Sequence, residues 1–117
     1  MRDFRKYNAW QESHLFALEV YQVTKEFPKE ELFGLTSQMR KSSASQPTNI
    51  AEGSGRRTKA DFKRFLFNAL GSNSELKYQL ILSRDLEYIT TLEFEDLFKK
   101  TDEVGKMTFA YSEKLIE

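Results

Sequence analysis

Cysteine is absent from the 117 residues, which excludes a disulfide framework, a thiolate metal site and a cysteine nucleophile. Histidine occurs once, as His14. A di-iron carboxylate centre in a helix bundle needs two Glu-x-x-His pairs, and here even the one histidine has Gln11, not Glu, three residues before it. An arginine–histidine ribonuclease pair on one helix is excluded too, because the nearest upstream arginine, Arg5, lies nine residues before His14. His14 itself reads as a partly buried helix residue with a local hydrogen bond.

Long hydrophobic runs are also missing. The longest, such as Leu15 to Leu18, fall far short of the ~18 residues that span a bilayer. The charged start, Arg2-Asp3-Phe4-Arg5-Lys6, has no apolar stretch of the kind that forms a signal peptide. The expectation is a cytoplasmic protein without membrane contact. Serine-hydrolase, Walker and dinucleotide fingerprints are lacking, since Gly53-Ser54-Gly55 has neither the third glycine nor the lysine spacing nor a preceding strand. No catalytic residue, cofactor or metal ligand is therefore expected.

What is present is enough apolar material for one core. Hydrophobic residues make up 39% of the chain, with ten Phe, five Tyr and one Trp, and the length suits a single domain over residues 1–117. Residues 1–9 read as an extended amino-terminal segment. Trp10, His14, Ala17, Leu18 and Tyr21 recur at helical spacing, and the first helix should stop at Phe27-Pro28 because proline disfavours the α conformation before it. A second helix opens near Thr36, carries Leu35, Met39 and Ile50 on one stripe, and should kink around Ser43 to Pro47. Its small, polar run from Ser42 to Gln46 suits close approach to another helix or chain. Gly53 is expected just past its end.

Thr58-Lys59-Ala60-Asp61 reads as an N-cap with a first-turn carboxylate, followed by Phe62, Phe65, Leu66, Ala69, Leu70, Leu76 and Leu80 in a long third helix. Thr90 to Glu93 caps a fourth, whose inner face holds Leu97, Phe98, Val104, Thr108, Tyr111 and Leu115. Folding helix four back places Gly71 to Ser74 opposite Gly105 to Thr108, so both glycines suggest tight crossing. The fold class expected is all-α, an antiparallel up-down-up-down four-helix bundle with a proline-kinked second helix.

Basic and acidic residues balance at 18 each, but residues 40–64 hold seven Lys/Arg against two Asp/Glu. Arg40, Lys41, Arg56, Arg57, Lys59, Lys63 and Arg64 form the candidate nucleic-acid-binding set, with Gly53, Ser54 and Gly55 as an anion-cradle loop. The competing interpretation is a solvated turn whose arginines pair with Glu52 and Asp61. Glu52 itself reads as a capping or subunit-contact group rather than an acid catalyst.

The most specific residues are Phe4, Trp10-Gln11, Phe27-Pro28-Lys29-Glu30, Phe33-Gly34-Leu35-Thr36-Ser37-Gln38, Asn49-Ile50-Ala51-Glu52-Gly53-Ser54-Gly55-Arg56, and Ala69-Leu70-Gly71-Ser72 followed by Glu75-Leu76. Together they resemble the bacterial four-helix-bundle family encoded in intervening sequences of large-subunit ribosomal RNA genes. The resemblance implies assembly into a five-membered, barrel-like ring. It also implies kinship with a protein of diversity-generating retroelements that binds RNA or DNA and a reverse transcriptase. The chain departs from the family at Ser42, Ser43, Ser45, Gln46 and Asn73, where less polar residues are usual, and a subunit contact there would be more polar. The function expected is a non-enzymatic homo-oligomeric adaptor, a ring that the resemblance implies is pentameric, binding nucleic acid through a basic patch around residues 40–64. The alternative is a protein–protein interaction or structural module without a nucleic-acid partner, using Phe4, Tyr7 and Trp10 or the acidic last helix.

Overall fold

The computed structural model describes residues 2–115, and Met1, Ile116 and Glu117 lie outside the described residues. Four helices account for most of the chain: α1 (Asn8–Thr24), α2 (Leu35–Ser54), α3 (Lys59–Asp85) and α4 (Thr91–Lys114). Residues 2–7 are not simply extended, because Asp3 accepts from the backbone N–H of Arg5 at 3.1 Å and winds Phe4–Lys6 into a 3-10 turn.

The helix starts follow their cap chemistry. Thr58 accepts from the Asp61 N–H at 3.1 Å, and Thr90 forms a full capping box with Glu93. The α2 start uses a substitute: Glu31 reaches forward so that its Oε1 accepts from the Leu35 N–H at 3.2 Å. Helix α2 continues through Pro47 without interruption. After α3, Glu87 adopts φ 63°, the left-handed conformation that glycine adopts most readily at a helix end.

Helices α1 and α2, α2 and α3, α3 and α4, and α4 and α1 pack side by side, which leaves α1–α3 and α2–α4 as the diagonals of a square. The core has two apolar clusters. The larger joins Phe16, Val20, Met39, Leu76, Leu80 and Leu97 with their neighbours, and the smaller joins Ala9, Ile50, Phe62 and Leu66. Between them lies a polar layer. Asn73 Nδ2 donates to Gln46 Oε1 at 3.0 Å and to the Thr101 carbonyl at 2.8 Å, while Gln46 donates to the Ser42 carbonyl and Ser42 to Gln79. No buried side-chain polar atom among the described residues lacks a partner. The polar run of the second helix, expected to approach another helix or chain, meets other helices of its own bundle: Ser42, Ser43 and Gln46 are interior, as is Asn73, and Ser45 bonds Ser72 across the α2–α3 seam.

Three further expectations are corrected. The inward stripe of α1 is Ala9, Ser13, Phe16, Ala17, Val20 and Thr24, while Leu18 and Tyr21 are exposed. The helix is apolar on two faces, and the inner one hides its hydroxyls by returning them to backbone carbonyls, as Thr24 does to Val20 at 2.7 Å. Gly53 is helical and buried rather than past the helix end. A Cβ there would stand 2.7 Å from Phe62 and 2.9 Å from Phe65, so the glycine admits the aromatic rings of α3. Gly105 likewise leaves room for Asn73, as tight crossing requires, but Gly71 faces open space.

Gly53→Ala should therefore destabilise the protein by about 1–3 kcal/mol through overpacking. Gly71→Ala, at an open mid-helix position, should stabilise it by about 0.5–1 kcal/mol. Urea unfolding followed by circular dichroism measures both, and effects of the same sign would contradict this packing.

Candidate nucleic-acid interface

Alternating helix direction gathers the α1 start, the α2 end, the α3 start and the α4 end at one pole of a body measuring 46 × 24 × 20 Å. The segments there, residues 2–9, 52–64 and 108–115, hold nine Lys/Arg and four Asp/Glu. The opposite pole, residues 25–34 and 84–96, holds three Lys/Arg and eight Asp/Glu. A chain of zero net charge is thus strongly polarised along its axis.

Within the basic pole the cations differ in freedom. Arg56 and Arg64 stack on the Phe65 ring, at 4.5 and 4.6 Å from its centroid, and both approach Asp61, Arg64 at 2.8 Å and Arg56 at 3.8 Å. One aromatic ring and one carboxylate therefore hold two guanidinium groups in place. Their pairing with Asp61 matches the competing interpretation of this turn. Arg57 and Lys59 are exposed and Lys63 is half-buried, all without an ion pair to Asp61. Arg2 joins them, since its guanidinium donates to the carbonyls of Ser54 (3.3 Å) and Arg56 (2.6 Å) and lies over Phe62. Sequence spacing could not place it there, more than fifty residues away in the chain.

The anion cradle does not form. Gly53 and Ser54 are buried inside α2, the Gly55 N–H donates to the Glu52 carbonyl, and the Arg56 N–H donates to the Gly53 carbonyl. Those amides are committed to ending the helix, and no glycine has positive φ. Nor do Arg40 and Lys41 join the patch. Fourteen residues of helix separate Arg40 from Ser54, about 21 Å at 1.5 Å per residue. Arg40 instead donates to Thr24 Oγ1 at 2.9 Å and to the Tyr21 carbonyl at 3.2 Å, satisfying the α1 end. Lys41 is exposed on the α2–α3 flank, beside Ser45 and Glu75.

The amino-terminal aromatics are packed rather than free. Phe4 meets Trp10 edge-on at 5.0 Å, and Tyr7 joins Phe62 and Tyr111 beneath the basic corner. His14 is exposed and stacks on Trp10 at 5.1 Å, without the partial burial expected for it. Trp10, His14, Leu18, Tyr21, Pro47 and Ala51 help line an open groove of about 470 Å³ between α1 and α2, with Glu52 at its edge. Among the described residues no group of three His, Asp or Glu side chains is placed to hold a metal ion. No described helix is long and apolar enough to cross a membrane.

The pattern of the family described as 23S rRNA-intervening sequence protein matches residues 5–110. The chain belongs to that family. This intervening-sequence protein also superposes on a solved protein of unknown function from the S23 ribosomal protein family of Bacteroides thetaiotaomicron VPI-5482. The two are 27% identical, with a TM-score of 0.83 over 90% of this chain and 95% of the other. No curated protein matches the intervening-sequence protein.

Burial beneath the basic corner, aided by a hydrogen bond with Tyr7, pushes the Tyr111 phenol up to about 12. The folded state thus holds this proton more tightly than the unfolded state, whose tyrosines titrate near about 10. The stabilisation is complete below the unfolded value and is lost as pH rises towards the folded one. Urea midpoints should fall between pH ~10 and ~12 and fall less in Tyr111→Phe; an equal fall in both would contradict the assignment.

Proposed function

We propose that this intervening-sequence protein is a cytoplasmic, non-enzymatic adaptor that assembles into a closed homo-oligomeric ring and binds nucleic acid through its basic pole. The observation that carries this reading is the charge separation: nine cations against four acids at one end of a neutral chain. A phosphate backbone recognises such a surface without sequence information, by releasing its condensed counterions. Arg57, Lys59 and Lys63 are the cations most available for phosphate, and Arg2, Arg56 and Arg64 are prepositioned beside them.

The ring is supported by two unlike apolar patches. The α1–α2 groove lies on one side, and on the side across the bundle Leu70 and Phe109 line the α3–α4 groove beside Lys77, Asp102 and Lys106, with Phe67 exposed on α3. Pairing unlike patches gives a head-to-tail contact, which closes into a ring when the rotation per subunit divides a full turn. Five subunits are what the family resemblance implies. With the subunits roughly parallel to the ring axis, every basic pole lies on the same rim, and weak single sites combine by avidity.

Two measurements test this reading. At low salt the protein should retard a structured RNA in a native gel, and replacing Arg57, Lys59 and Lys63 with alanine should weaken binding and flatten the log K against log salt slope by about 2–3. Unchanged retardation with unchanged slope would overturn the nucleic-acid reading. Light scattering should give a mass near five times 13.8 kDa, reduced to the single-chain mass by Leu18→Glu in the groove. A wild-type monomer would overturn the ring.

A further inference from the structure

The acidic pole carries the most exposed apolar side chain among the described residues. Phe33 is 93% exposed and Leu92 78%, with Leu32 and Leu86 about half exposed; Leu32, Phe33 and Leu86 lie in the two connections at this end of the bundle and Leu92 in the first turn of α4. Scattered surface leucines are ordinary, but four large apolar groups gathered at one end of the bundle form a surface that water solvates poorly.

The local structure holds them outward. Glu31 uses both carboxylate oxygens, Oε1 accepting from the Leu35 N–H at 3.2 Å and Oε2 from the Tyr88 hydroxyl at 2.8 Å. That one side chain starts α2 and ties the α1–α2 connection to the α3–α4 connection. The Phe27 ring packs against Tyr88 at 5.3 Å from below, and the Thr90–Glu93 capping box fixes the start of α4 beside Leu92. Gly34 completes the turn, since a Cβ there would stand 2.8 Å from Glu31 Oε1.

Around these apolar groups the charge is predominantly acidic, eight acids against three bases, with Glu26, Glu30, Glu87 and Glu95 all exposed. An apolar centre with an acidic rim is complementary to a lysine- or arginine-rich segment that also carries apolar side chains. The basic pole of a second copy matches the charge but not the apolar centre. Among residues 2–9, 52–64 and 108–115 only Phe109 is an exposed large apolar side chain, one at 50% against four at the acidic pole, and end-to-end contacts would build an open filament.

We propose that the acidic pole is a docking surface for a cationic, amphipathic segment of a partner protein, with Phe33 and Leu92 as its apolar anchors. The protein then has two working ends, and this one is independent of the nucleic-acid reading.

The test uses the full chain and a dye-labelled peptide of about 18 residues, built from Lys and Leu to form a helix with one apolar face, followed by fluorescence anisotropy. A peptide with Glu in place of Lys is the control. The Lys peptide should bind with an affinity that falls as salt rises. Phe33→Ser with Leu92→Ser, both at exposed positions and leaving every charge in place, should weaken it about tenfold or more. Glu30→Lys with Glu87→Lys should weaken it as well, whereas the Arg57, Lys59, Lys63 alanine variant should bind as the wild type does. Equal binding by the serine variant, or binding of the Glu peptide as tight as that of the Lys peptide, would overturn the proposal. So would concentration-dependent end-to-end growth in light scattering that the serine variant abolishes, because a second copy would then be the occupant.

Discussion

The Asn73 amide, donating to Gln46 on α2 and to the Thr101 carbonyl on α4, is the interaction on which the rest of this bundle depends. Apolar contacts alone tolerate sliding, because one leucine row fits several grooves almost equally well. A buried amide does not. Moving α3 by one turn against either neighbour would leave its donors unpaired in the interior, at a cost of about 1–3 kcal/mol for each group. The layer thus specifies one register out of several, and Gly105 and Gly53 permit the close approach that this register needs.

Register in turn decides the electrostatics. With alternating helices aligned end to end, cations scattered over residues 2–9, 52–64 and 108–115 converge on one pole, and carboxylates from residues 25–34 and 84–96 on the other. A pI near 6.6 conceals this arrangement, since net charge averages over it. In the proposed ring, side-by-side assembly through the flanks would leave both poles free for partners of opposite charge. Here the family's ribosomal name, carried by the solved relative, is less informative than the distribution of charge within the chain.

Much of the fold was legible because its signals are local. Thr58 and Thr90 cap the helices expected of them, Pro28 follows the end of α1, and Phe62 to Leu80 of α3 supply buried rows. What escaped depends on neighbours that sequence spacing does not show. Helix α1 is apolar on two faces, so its period could not reveal that Ser13 and Val20 point inward while Leu18 and Tyr21 line a groove. Gly53-Ser54-Gly55 looked like a phosphate loop because glycine signals both conformational freedom and lack of bulk; here lack of bulk is the reason. Arg40 shares a charge-rich segment with Arg56 yet sits at the far end of α2, a separation that helix rise alone would have revealed. Asn73 was noted only as more polar than is usual at its place, and Gln46 was assigned to a polar surface of the second helix, because polar residues usually lie outside. Their positions on the buried stripes of α3 and α2 were the available signal.

Backbone hydrogen exchange measured by mass spectrometry, with and without a short RNA, tests the polarised bundle most directly. Protection should appear in residues 2–9, 52–64 and 108–115 and leave residues 25–34 and 84–96 unchanged. Protection centred on the second group, or spread evenly along all four helices, would contradict the account.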